Sequence, residues 1–164
     1  MTSFATDIAT YSQVDGLHDT LASALGGTAP QAFEHAQAWH ISNTQELLRV
    51  IVVSVGALTM HERTREGQQL VVTVPIERLS RVVLGRSPEA TTVTLEIDAD
   101  QTTIESQATY VEQDAADGSS TQGEQMTRSF ARRAGYALEA RTEQEVAALE
   151  RFHRQVSAVL HANA

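Results

Sequence analysis

Between residues 45 and 111 the chain is a succession of short apolar segments, and after a polar gap one amphipathic stretch follows at 142–161. Few architectures accept many short strands closed by a single helix. Residues 45–55, QELLRVIVVSV, are β-branched on both faces, which reads as a strand buried on both sides or crossing a closed barrel. Gly56 breaks the run, and residues 57–64 then alternate, with Leu58 and Met60 on one face. Arg65-Glu66-Gly67 is a turn signal. Residues 69–74 put Leu70, Val72 and Val74 together, and Pro75 limits that strand because it cannot donate to a ladder. Ile76 and Leu79 are spaced for one helical turn. Arg81 to Leu84 reads as a further strand and Gly85 to Pro88 as a turn. Residues 91–98 alternate with Val93, Leu95 and Ile97 inward. A tight turn at Ala99-Asp100 leads to 102–111, which is expected to pair back on it with Ile104, Ala108 and Tyr110 on one face.

Residues 112–125, EQDAADGSSTQGEQ, hold no large apolar side chain and predict a mobile loop. Residues 126–134 suit one or two helical turns, and Tyr136 to Ala140 a last strand. Thr142 and Glu145 have the spacing of a capping box, in which the hydroxyl and the carboxylate each satisfy a backbone N–H. Behind it Val146, Leu149, Phe152, Val156 and Val159 form one apolar stripe. At the other end, the periodicity predicts a helix over 5–25, although Gly16 inside it costs about 1 kcal/mol against alanine. Gly26-Gly27 ends that helix. Pro30 opens a second over 30–40, with Phe33 and Trp39 as its large apolar groups. The chain therefore divides into an N-terminal helical segment, 1–44, and a β-rich remainder, 45–164. The helices either pack on the β core or serve as an assembly arm.

Charge and composition remove several function classes. The net charge is −9, a field that repels phosphates and argues against nucleic acid and anionic membranes as partners. No run approaches the ~20 apolar residues of a membrane helix. The first ten residues carry Asp7 and no basic group, so a signal peptide is not expected and the cytoplasm is the default location. Cysteine is absent, which excludes disulfides, thiol catalysis and cysteine zinc sites together.

Candidate chemistry is sparse. His35 and His40 stand five apart, where a shared metal wants three or four, and His153 and His161 stand eight apart. No metal and no cofactor is expected. Gly118-Ser119-Ser120 lacks the strand a nucleophile elbow needs. Asp98 and Asp100 could hold a cation, but Asp-Ala-Asp at a strand end is first of all a hairpin turn. An enzyme is thus not expected. The one concentrated basic group is Arg128, Arg132, Arg133 and Arg141, with Glu139 as the only acid among residues 126–141. It either pairs with the acidic segment before it or grips an acidic partner.

The order of six strands, a seventh and a closing helix is similar to the pleckstrin-homology-like (PH-like) fold of bacterial proteins. The stretches that carry the resemblance are VVTVPIERLSRVVL, residues 71–84, and Tyr136 through TEQEVAALERFHRQV. The resemblance implies an α+β fold: a bent antiparallel β-barrel of about seven strands with a C-terminal plug helix, preceded here by two helices. It also implies a scaffold for binding peptides, proteins or lipid headgroups. The junction Ser54-Val55-Gly56-Ala57 lacks the basic cluster of phosphoinositide-binding members, so that activity is not carried over. The expected function is a non-enzymatic protein-interaction module. Its groove is expected between the plug helix and the preceding strand, rimmed by Arg132, Arg133, Tyr136 and Arg141. Three alternatives stand beside it: a structural subunit of a phage or secretion assembly, which a homo-oligomer would suit; a small ligand-binding or enzymatic α+β barrel; and nucleic-acid binding through the arginines.

Overall fold

The computed structural model describes residues 3–11, 16–98, 106–109 and 135–164, with backbone alone at 106–109 and 135. Three short helices come first: α1 (Phe4–Ala9), α2 (Leu17–Ala24) and α3 (Ala29–Glu34). Six strands follow, β1 (Ala38–Asn43), β2 (Leu47–Val53), β3 (Ala57–Thr64), β4 (Gln69–Pro75), β5 (Leu79–Arg86) and β6 (Thr91–Ile97). After them come β7 (Ser106–Thr109), β8 (Gly135–Ala140) and the long α4 (Glu143–Ala162). A 3₁₀ turn at Ile76–Arg78 links β4 to β5.

The strands form two antiparallel sheets, ordered β1-β2-β3-β4-β7 and β5-β6-β8. The turn after Pro75 carries the chain from one to the other, anchored where the Ile76 N–H donates to the Gly56 carbonyl at 3.0 Å. Among the described residues no ladder joins the two sheets and no closed barrel forms; the sheets face each other as layers. The fold is α+β, with α4 lying against β1 of the first sheet and against β5, β6 and β8 of the second.

Two buried clusters result. The inner one lies between the sheets and α4, and includes Ile51, Val53, Leu58, Met60, Val72, Val93, Leu95, Leu138, Leu149 and Phe152. The outer one lies between α1–α3 and the far face of the first sheet, where Leu48, Val50 and Val52 meet Phe4, Ile8, Leu17, Leu21 and Phe33. Strand β2 contributes to both, because alternate side chains point to opposite faces. This accounts for the continuous β-branched run at its centre. The N-terminal helices therefore pack on the sheet.

Three expectations are corrected. The helix over 5–25 is two helices, since Gly16 stands at φ 73° as the N-cap of α2, a conformation that ends a helix rather than continuing one. The helix over 30–40 stops at Glu34, and Trp39 belongs to β1. There the Gln37 N–H donates to the Val53 carbonyl at 2.8 Å and starts the β1–β2 ladder. Finally, β7 pairs with β4 and not with β6. Both edges of β6 are already occupied, by β5 and β8, whereas β4 has an edge open to it. The expected turn at Ala99-Asp100, the loop at 112–125 and the helical turns at 126–134 lie outside the described residues.

Candidate functional site

Helix α4 is built as its sequence requires. The Thr142 hydroxyl accepts from the Glu145 N–H at 3.3 Å, while Glu145 Oε2 accepts from the Thr142 N–H at 3.1 Å. The bond from the Thr142 N–H, with another from the Arg141 N–H to the same oxygen, holds the Glu145 carboxyl below its usual range. The apolar stripe then seats Leu149, Phe152 and Val156 fully in the inner core.

Of the four expected rim residues the structure describes two, Tyr136 and Arg141. Tyr136 is 8% exposed and points between the sheets with Met60, Leu95 and Ile97 around it. Its register opposite Leu95 explains this, since Leu95 faces inward. Arg141 is exposed, and its Nε donates to Glu139 Oε1 at 2.6 Å. Arg132 and Arg133 lie outside the described residues. Tyr136, Leu138 and Ala140 belong to the same buried cluster as the stripe of α4. The described part of the β8–α4 contact is thus core.

Open surface occurs instead on the two other flanks of α4. On one flank a groove of about 730 Å³ runs between β5 and the C-terminal half of the helix. Ile76, Leu79 and Val82 form its strand side, and Ser157, Leu160 and His161 its helix side. Nearer the start of the helix, Arg86 reaches across to Glu150, with Nη2 to Oε1 at 2.8 Å, and ties the end of β5 to α4. Strand β5 has a ladder partner, β6, on one side only among the described residues, so the other edge faces the groove. On β5, Arg81 is held flat against β6 by a two-point bond to Glu96, at 2.9 and 2.7 Å.

On the opposite flank, a cleft of about 430 Å³ lies between α1, β1 and the first turns of α4. Helix α1 supplies Asp7 and Tyr11, β1 supplies Trp39 and Ile41, and α4 supplies Gln144, Ala147, Ala148 and Arg151. The indole N–H of Trp39 donates to Asp7 Oδ2. Arg151 Nη2 stands 3.9 Å from the same oxygen, beyond hydrogen-bonding range. Arg151 Nε is buried and reaches no acceptor among the described residues. One turn further along, Gln155 Oε1 is buried without a donor among them.

Two histidines are buried in the first sheet. His40 lies against the Phe152 ring, centroids 5.7 Å apart. Burial, with the nearby Arg151 and Arg49 guanidiniums, lowers its pKa to about 4. His61 is fully buried, and desolvation lowers its pKa although Gln69 Oε1 lies 3.3 Å from Nε2. Both rings are neutral at pH 7. Among the described residues no group of three metal-ligating side chains converges, and no helix is long and apolar enough to cross a membrane.

Sequence patterns held a local sign of the cleft. Gln144, Ala147, Ala148 and Arg151 recur at helical spacing, so two small residues sit between two long polar ones on one face. Asp7 and Trp39 gave no such sign, because only the packing of α1 on β1 brings them together. Comparison with family models, curated proteins and solved structures returns no match for this chain.

Proposed function

We propose that this chain is a PH-like, non-enzymatic protein-interaction module that takes an extended protein segment along the free edge of β5, beneath the C-terminal half of α4. Support for the PH-like reading comes from the element order: four consecutive antiparallel strands, a turn into a second sheet, and a C-terminal helix against both sheets. Strand β7 and the helices α1–α3 are additions to that plan.

The observation that carries the binding reading is the coincidence of a strand edge, unpaired among the described residues, with a 730 Å³ groove. An edge strand presents a row of N–H and C=O groups that a second extended chain can satisfy, while alternate side chains of the added strand find pockets. Val82 and Leu160 are partly buried and provide an apolar seat; Glu77 and His161 stand at its margins. The Arg86–Glu150 ion pair ties β5 to α4 beside the groove.

Selection of a random peptide library on the immobilised chain, followed by calorimetry of the enriched peptides, tests this. Enriched peptides should perturb the β5 amide resonances. They should also lose at least about tenfold in affinity with Ser157→Trp, which fills the groove from the helix side. Enrichment of no sequence, or peptides indifferent to Ser157→Trp, would overturn the proposal.

A further inference from the structure

The cleft between α1, β1 and α4 has its own chemistry, independent of the β5 groove. Among the described residues its charges are one carboxylate and one guanidinium, Asp7 and Arg151, close enough to feel each other but not hydrogen-bonded, at 3.9 Å. The carboxylate is oriented by Trp39, whose indole N–H occupies Oδ2. An ionised carboxylate has about four lone-pair sites, so one such bond leaves acceptor capacity. Among the described residues the guanidinium Nε meets no acceptor, and Nη2 stands out of bonding range of Asp7. A buried donor without an acceptor calls for an explanation, and a carboxylate bound side-on is the group whose geometry matches the guanidinium fork.

These features select a ligand class. A simple anion would meet Arg151 but be repelled by Asp7, and a simple cation would suffer the reverse. His40, the nearest titratable ring behind Arg151, is neutral at pH 7 and adds no charge. A molecule carrying ammonium and carboxylate one carbon apart matches both groups at once. Beside them the cleft offers apolar side chains: Ile41 from β1, and Ala147 and Ala148 from α4. The volume, about 430 Å³, lies toward the small end of the ~300–1,000 Å³ usual for small-molecule sites.

We propose that this cleft binds a free α-amino acid with an aliphatic side chain. Its ammonium is received by Asp7, its carboxylate by Arg151, and its side chain by Ile41, Ala147 and Ala148.

The protein carries its own reporter, because Trp39 is the sole tryptophan and stands in the wall of the cleft. Titration of the full chain with L-leucine should give a saturable change in tryptophan emission and a matching calorimetric isotherm. Leucinamide, which lacks the carboxylate, and 4-methylpentanoate, which lacks the ammonium, should each bind at least about tenfold more weakly. Ala147→Leu alters an exposed helix position and should abolish binding with the fold intact by circular dichroism, and Arg151→Met should weaken L-leucine at least about tenfold. No saturable signal with L-leucine, L-valine or L-methionine would overturn the proposal. So would equal affinity for leucine and leucinamide, or binding that survives Ala147→Leu.

Discussion

At the scale of single residues, His40 makes stability depend on pH in a defined direction. Its folded pKa, about 4, lies below the ordinary histidine value of 6.5, so the unfolded chain binds more protons between those values. The contribution is complete above pH 6.5, declines as pH falls, and is exhausted near pH 4. At ~1.36 kcal/mol per pKa unit, the loss is on the order of 2 kcal/mol by pH 5. His61 is shifted in the same direction, so the total curve mixes both rings. The stability difference between wild type and His40→Gln isolates one of them. Urea unfolding at pH 7.5 and pH 5 should show that difference change by roughly 2 kcal/mol in disfavour of the wild type. A difference that stays constant with pH would show that His40 titrates as it does in the unfolded chain. Nothing in the sequence marked His40 for this role. It was visible only as a poorly spaced partner of His35, and its burial depends on Phe152, more than a hundred residues later.

At the scale of elements, β5 and β6 approach closely at one point. A Cβ placed on Gly85 would stand 2.7 Å from Thr92 Oγ1 across the ladder, where the two residues are in register. Gly85→Ala should therefore destabilise the chain by about 1–3 kcal/mol, the usual range for overpacking. Thr92→Ala in the same chain should recover much of that loss, since it removes the atom that collides. Thermal unfolding of the two single variants and the double variant gives the coupling directly, and strictly additive effects would rule out the clash. The turn expected from Gly85 was misplaced for this reason: the glycine serves a close cross-strand approach, and the chain turns beyond it, where the Ser87 N–H meets the Ala90 carbonyl. By contrast, α4 was legible almost to the residue, because its cap and stripe are local signals. Strand β1 was not, since Ala38 to Ile41 sets two aromatic rings in alternation too short to separate from a helical turn. The candidate grooves were legible only in part. Both lie on α4, but each is completed by an element distant in sequence.

At the scale of the whole molecule, the first sheet is coated on both sides, by α1–α3 outside and by the inner core and α4 within. Removal of residues 1–36 would uncover Leu48, Val50 and Val52, each no more than 6% exposed in the intact chain. A contiguous apolar patch of that kind invites self-association. The shortened chain is expected to bind a hydrophobic dye strongly and to elute as oligomers from a sizing column. A shortened chain that stays monomeric and unfolds cooperatively would instead mark α1–α3 as a detachable layer. Sequence reading left the packing of these helices open because their apolar stripes fit either a sheet or a second subunit. What decides it is β2, whose two faces both carry apolar side chains and so require a cover on each.

That double coverage bears on how this chain can change over time. A strand with one wet face can change on that face without disturbing the core. From Val50 to Val53 of β2 every side chain is shut away, odd positions from one layer and even positions from the other. An altered volume there must be absorbed by the helices at one residue and by the opposing sheet at the next. Divergent versions of this protein are accordingly expected to hold four apolar residues at the middle of β2.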